Sequence, residues 1–256
     1  MDIFNDNFKP IHIISLGAGV QSSTMALMFA QGELTPMPDG AIFADTGAEP
    51  KYVYDWLNWL ETKLPFPIYR VMHKEGLQQS IIESIKRERF AAVPFFTESE
   101  NRRGGMLRRQ CTREFKVEPI TQKLRRLLGL KFRQKAPKKI LAIQYIGISL
   151  DEALRMKPSR LHWIEHQWPL INSVKMKRKD CLKWMEDRGY PKPERSACTF
   201  CPYHSDDEWY DLKYNHPKDF ESAVKIDNMI RDGVRGTKEK LYLHRKLLPL
   251  TEIDFS

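Results

Sequence analysis

Residues 11–28 read IHIISLGAGVQSSTMALM, and this stretch limits what the chain can fold into more than any other. An apolar run of strand length meets Gly17 and Gly19, passes through Gln21, Ser22, Ser23 and Thr24, and turns apolar again at Met25. The pattern predicts a buried strand that turns sharply into a helix. The first amides of a helix have no partner within it and carry the positive end of its dipole, so such a turn is a natural seat for an anion. Glycine lets the backbone come close to that anion. Phosphate is the expected guest, and a tight turn with no ligand is the plain alternative. No Gly-Lys-Ser/Thr follows, which excludes a P-loop kinase or GTPase. The dinucleotide fingerprint GxGxxG is met only in part: Ser22 stands in the place of its third glycine, and Asp45 ends the next strand, where a ribose-binding acid would lie.

The same reading continues along the chain. Period and punctuation predict strands over 11–15, 40–44, 68–71 and 140–146, and helices over 21–31, 50–63, 77–87 and 118–128. Strand alternating with helix predicts an α/β fold, a Rossmann-like parallel sheet with helices on both faces, whose ligand sits beyond the carboxyl ends of the strands. Part of 87–106, with its Pro, Gly and polar residues, reads as a mobile flap or an insertion. After about residue 152 the character changes, with Trp163, Trp168, Trp184, several prolines and three of the 4 cysteines. The expected domains are an adenine-nucleotide-binding α/β domain over 1–151 and a helical, loop-rich C-terminal lobe over 152–256 that carries a CxxC.

Charge narrows the choice of partner. The chain of 256 residues carries a net +9, yet 101–139 alone holds 14 basic and 2 acidic residues, so the remainder is acidic. Arg102, Arg103, Arg108, Arg109 and Arg113 gather there beside two glycines, a composition that suits the phosphates of a nucleotide or a nucleic acid. A solvated basic surface is the simpler reading. No run reaches the roughly 18 apolar residues of a membrane span, and 1–10 lack the order of a signal peptide, so the expected location is cytoplasmic with no membrane partner. Cysteines there stay reduced, which favours metal binding or catalysis over disulfides.

Cys198 and Cys201 are spaced CxxC before Pro202, a turn that can aim two thiolates at one point. With Cys111 and Cys181 they make a candidate ligand set for a 4Fe-4S cluster, while His204 offers a zinc alternative. Cys181 in DCLKWM reads equally well as a small apolar residue on a helix face. A free Cys111 among arginines would instead be a nucleophile.

Taken together, these motifs resemble the PAPS-reductase-like branch of the adenine nucleotide alpha-hydrolase superfamily, the PP-loop ATP pyrophosphatases, in its phage and bacterial form. Gly17, Ala18, Gly19, Val20, Gln21, Ser22 and Ser23 align with the PP-loop pattern SGGKDS, with Val20 and Gln21 in place of its lysine and aspartate. GAIFADTGAEP, RRQCTREFKVEPI, YIGISLDEALRM, WPLINS, CTFCPYHS and LHRKLLPL are similar to later elements in the same order. The resemblance implies a HUP-type fold. It also implies that ATP or an adenylyl nucleotide reacts at its alpha phosphate and pyrophosphate leaves, with Mg²⁺ bridging the phosphates.

On that reading the nucleotide is bound by Ser15, Gly17 to Ser23, Asp45, Thr46, Glu49, Arg108, Arg113, Lys116, Gly147, Asp151 and Arg155, and Ser22, Asp45, Arg109 and Cys111 take part in catalysis. The bland alternatives are that Asp45 caps the helix near Pro50, and that Asp151, Glu152 and Arg155 form a helix cap with an exposed ion pair. The resemblance implies activation of an acceptor, tRNA or DNA, for sulfur transfer, with a sulfur donor or electron-transfer protein as a further partner and a homodimer as the expected assembly. The alternatives are a PAPS or adenylyl sulfate reductase releasing sulfite, and a nucleotide-sensing or nucleic-acid-binding regulator without turnover. Reductases of the family carry a nucleophile in a C-terminal tail, and PLTEIDFS has no cysteine.

Overall fold

The computed structural model describes Asn5, residues 7–99 and residues 102–255, without the side chains of Ser99, Arg102 and Arg103. In chain order the strands are β1 (Ile11–Leu16), β2 (Gly40–Asp45), β3 (Ile68–Met72), β4 (Phe96–Ser99), β5 (Arg102–Met106), β6 (Ala142–Ile146), β7 (Ile164–Gln167) and β8 (Lys240–Tyr242). The helices are α1 (Val20–Ala30), α2 (Lys51–Glu61), α3 (Gly76–Ile85), α4 (Glu118–Leu127), α5 (Pro169–Asn172), α6 (Arg178–Glu186), α7 (Asp206–Asn215) and α8 (Pro217–Met229). A π-helical turn over Arg113–Val117 leads into α4, and a 3-10 segment over Leu150–Arg155 follows β6.

The chain forms two compact units, each built from separated segments: residues up to 44, 52–71 and 119–196 in the first, and 45–51, 72–118 and 197–256 in the second. The first unit holds the five-stranded sheet in the order β3-β2-β1-β6-β7. β1 runs parallel to both β2 and β6, with Ser15 opposite Ile42 on one side and Ile146 on the other, and β7 runs parallel to β6. From β1 the chain first adds strands on one side of the sheet and later returns to the other. That makes the carboxyl end of β1 the switch point where an open α/β sheet leaves a crevice.

The helices around this sheet form for different reasons. α1 is buried from Ser22 through Phe29 and packs between β1 and the helices α5 and α6, so its apolar residues run around its whole circumference. α2 is amphipathic, with Val53, Trp56, Leu57 and Leu60 at helical spacing against the sheet core. α4 closes the other face with Ile120 and Leu124 against Ile11, Ile13 and Ile42.

The second unit has its own core, in which Phe95, Phe115, Phe200, Trp209 and Ile226 are fully buried. Its small antiparallel sheet has the order β5-β4-β8, with Phe96 opposite Tyr242 and Met106. The segment read as a mobile flap thus supplies two paired strands, apart from Glu100 and Asn101, which lie outside the described residues.

The expected division at 151/152 differs from the observed one for a physical reason. β7 extends the parallel sheet, and α6 buries Cys181, Trp184 and Met185 against α1, so 152–196 completes the first unit rather than opening a second.

Candidate functional site

The turn after β1 is built from its own residues. Ala18 takes a left-handed backbone (φ 56°) and is buried, which directs the chain back over the strand end. The Ser22 hydroxyl locks the turn, accepting from the Gly17 amide at 3.2 Å and donating to the Gly19 carbonyl at 3.3 Å. Gly19 is the helix N-cap in extended backbone (φ −94°, ψ 178°), and neither a side-chain cap nor an acid occupies the first turn of α1. The leading amides of α1 are therefore not satisfied by a side chain of the helix. Gly17 is exposed and Gly19 and Gln21 are half-exposed, so the bend is open, whereas Val20 is buried.

The residues predicted for this turn divide by role. Ser23 is fully buried and its hydroxyl accepts from the Trp56 indole at 2.9 Å, which commits it to packing α1 on α2. Ser15 lies within β1. Gln21 donates to a Glu152 carboxylate oxygen at 3.0 Å and to the Ser149 hydroxyl at 3.4 Å, and Glu152 pairs with Arg155. The β6 end and the start of α1 are thus braced by a polar chain that the sequence, with Gln21 and Glu152 separated by 131 positions, does not announce. The Ser149 hydroxyl and the Arg178 amide hold the Asp151 carboxyl below its ordinary range. Gly147 follows β6 so closely that a Cβ there would lie 2.6 Å from Ser22 Cα.

The other predicted residues, Cys181 apart, lie in the second unit. The Asp45 carboxylate accepts from the Gly47 amide at 2.7 Å, an Asx turn at the end of β2. Thr46 donates to Glu49 at 3.2 Å and lies 3.2 Å from Cys198 Sγ, and the Lys116 amine meets the same Glu49 oxygen at 3.3 Å. The Glu49 side chain is 0% exposed, that of Lys116 36%. Burial is the largest single influence on the Lys116 amine and lowers its pKa, but the charge and hydrogen bond of Glu49, together with the nearby sulfurs of Cys198 and Cys201, leave the amine above its ordinary value. Three residues read as nucleotide contacts, Thr46, Glu49 and Lys116, thus gather around a cysteine. Sequence spacing gave no sign of this.

Burial, and then the charge of Glu49, push the Cys198 thiol up, so it is held as a thiol. The CxxC turn closes with the Cys201 amide donating to the Cys198 carbonyl, and the His204 Nε2 sits 2.9 Å from that same carbonyl. His204 Nδ1 faces Glu208 at 3.5 Å, which makes His204 a brace of the turn. Cys111 rests half-buried against the second unit's core, with its amide bonded to the Ala92 carbonyl. Arg108 and Arg109 are exposed, with Arg109 over the Tyr203 ring at 5.2 Å, and Arg113 pairs with Glu118 at 3.3 Å. Arg102 and Arg103 side chains lie outside the described residues.

The expected metal ligands do not form one set. Cys181 is 0% exposed in the first unit's core, and burial pushes its thiol up to about 12. Among the described residues no three His, Cys, Asp or Glu side chains converge on one point. A four-cysteine cluster therefore does not fit this arrangement, and a zinc site of Cys198, Cys201, His204 and one more cysteine does not either, since no third ligand converges with the CxxC pair among the described residues.

The Cys181 thiol carries a pH prediction. The unfolded thiol ionises near about 8.5 and the folded one near about 12, so across that window the unfolded chain has released a proton that the native chain keeps. Stability falls as pH rises through the window, by up to about 1.4 kcal/mol per pH unit for this one group. Urea unfolding between pH 8 and pH 10 should show a shallower decline in Cys181→Ala than in the parent. Equal slopes would remove Cys181 from the account.

No protein-family model and no curated protein matches the chain. Among solved structures, the chain is similar to the phosphoadenylyl-sulfate (PAPS) reductase of Candida auris in its phosphate complex, at 14% identity and a TM-score of 0.48 over 74% of this chain and 82% of that one. It is also similar to the U34-tRNA thiolase NcsA of Methanococcus maripaludis with its 4Fe-4S cluster, at 16% identity and a TM-score of 0.41 over 90% of this chain and 74% of that one.

Proposed function

We propose that the chain is a nucleotide-activating enzyme of the PP-loop type, which binds ATP or a related adenylyl nucleotide by its phosphates at the turn between β1 and α1. The observation that carries this reading is the open, uncapped start of α1, with Gly19 at its N-cap, at the switch point of a parallel sheet. The amides of Val20, Gln21 and Ser22 would take the beta and gamma phosphates. The Ser22 hydroxyl would turn its proton from the Gly19 carbonyl, 3.3 Å away, to the departing pyrophosphate as charge builds there.

In the reaction an acceptor oxygen attacks the alpha phosphorus, the bond to the bridging oxygen breaks, and pyrophosphate leaves. A sulfur nucleophile from a separate donor then displaces adenylate from the activated acceptor. Mg²⁺ entering with the nucleotide, for which Asp45 is the candidate carboxylate, would neutralise charge developing on the phosphates. The acceptor we favour is a nucleic acid, in keeping with the basic balance of 101–139. The sulfur step is assigned to no cluster here, because the cysteines do not form one ligand set.

Gln21 favours one rival, a sensor that binds nucleotide without turnover, since its amide is spent on Glu152 and Ser149. Pyrophosphate release separates the two. The parent protein with ATP, Mg²⁺ and total tRNA or single-stranded DNA should release pyrophosphate, and Ser22→Ala should lower the rate by about 10²-fold. ATP binding without release under every acceptor tested would make the chain a sensor, and no ATP binding would remove the reading altogether.

A further inference from the structure

The turn at α1 does not explain a strongly basic surface of the first unit. A cleft of about 760 Å³ opens between the outer face of α4 and the loop over 130–138. Arg126, Lys131, Arg133, Lys135 and Lys138 line it, and no acid does. Those five side chains are exposed, and none has an ion-pair partner among the described residues. Phe132 stands in the same loop with 89% of its surface exposed, and the Arg133 guanidinium lies 5.1 Å from its ring centre.

The loop is held rather than loose. Arg125 donates to the carbonyls of Lys131 and Gln134 at 3.0 and 2.6 Å, the Gln134 side chain accepts from the Lys131 amide at 2.9 Å, and the His162 ring meets the Pro137 carbonyl at 3.2 Å. One arginine of the cleft is thus spent on presenting the others. Arg133 adopts a left-handed backbone (φ 61°), a conformation that side chains with a Cβ rarely take. An aromatic ring presented on a held loop and flanked by cations without acidic partners matches a polyanion that also carries flat rings.

We infer that this cleft binds a single-stranded stretch of nucleic acid, with an unpaired base stacked on Phe132 and the flanking phosphates on Arg126, Lys135 and Lys138. The inference deepens the acceptor half of the function proposed above and does not depend on nucleotide turnover. A base stack distinguishes this occupant from an anionic membrane or a charged polysaccharide, which would use the cations and leave the ring idle. It also distinguishes a single strand from a duplex, whose bases are already stacked on each other.

The test is fluorescence anisotropy of the full chain with short labelled oligouridine and oligo(dT), alongside a mixed-sequence duplex, heparin and phosphatidylserine vesicles. Expected is salt-dependent binding of at least one single strand, which sets RNA apart from DNA. Phe132→Ala should weaken that binding about tenfold while leaving the duplex and heparin unchanged. Lys135→Glu/Lys138→Glu should weaken every polyanion and flatten the salt dependence. Both changes lie on exposed side chains, and ATP binding measured on the same samples should be unaltered. Single-strand affinity that is the same in Phe132→Ala as in the parent overturns the inference, as does tighter binding to vesicles or heparin than to either oligonucleotide. Loss of ATP binding with oligonucleotide binding intact would instead overturn the proposed function and leave the cleft standing.

Discussion

Replacing Gly147 by alanine should abolish measurable ATP binding while leaving the chain folded. A Cβ at this position would fall 2.6 Å from Ser22 Cα, 2.7 Å from Ser22 N and 3.0 Å from Ser22 Cβ, and the first two of these are backbone atoms that no rotamer change can move aside. The start of α1 must then shift away from the end of β6, and it takes with it the amide proposed to hold phosphate. Overpacking of this kind costs about 1–3 kcal/mol, within what a domain of this size survives. Gly19→Ala provides the contrast. Its Cβ would meet nothing within 4 Å, and its backbone at φ −94° suits any L residue, so its stability should stay within about 0.5 kcal/mol of the parent. ATP affinity should nevertheless fall, because the added methyl stands where the phosphates would approach the backbone. Calorimetric titration with ATP and thermal unfolding of both variants give the two readouts. Parent-like affinity in both would mean that the turn holds no phosphate.

Much of the first unit could be read from the chain because its signals are local. The residues 11–28 dictate strand, turn and helix through apolar period and glycine placement, and β1, β2, β3, α1, α2 and α4 fall within a residue or two of expectation, as does α3 of the second unit. The strand expected over 140–146 begins at Ala142 instead, since Leu141 pairs with the Trp163 carbonyl as the chain enters the sheet. What could not be read depends on partners far apart in sequence. β7 is only four residues long, IEHQ, and its pairing with β6 is set by register rather than by pattern. Glu49 looks like a helix-start acid, yet its burial follows from Lys116, 67 positions away, and Cys198, 149 positions away. Cys181 illustrates the same limit: one small residue on an apolar face reads as ligand or as packing, and only the helix beneath it decides.

The second unit hangs on a carboxylate that no motif marked. Asp227 on α8 is 1% exposed and accepts three bonds: from the Leu243 amide at 2.9 Å, from the Leu250 amide at 3.2 Å and from Arg231 at 2.5 Å. Arg231 in turn donates to the Leu241 carbonyl at 2.9 Å and lies over the Tyr242 ring at 3.9 Å. One acid therefore ties α8 to both ends of the LHRKLLPL segment, whose Leu243 and Leu250 complete the core. Asp227→Ala strands two buried amides, each at about 1–3 kcal/mol, and takes the acid from Arg231, which keeps its bond to the Leu241 carbonyl, so the loss should be about 3–5 kcal/mol. Urea unfolding should show a loss of that size, and a loss under about 1 kcal/mol would refute the assignment. The companion double variant Asp227→Leu/Arg231→Leu discriminates charge from anchoring. If the unpaired guanidinium causes the damage, the double variant should recover most of the stability. If the two amides cause it, the loss should persist, because neither leucine can accept their protons, and that persistence is the result expected here.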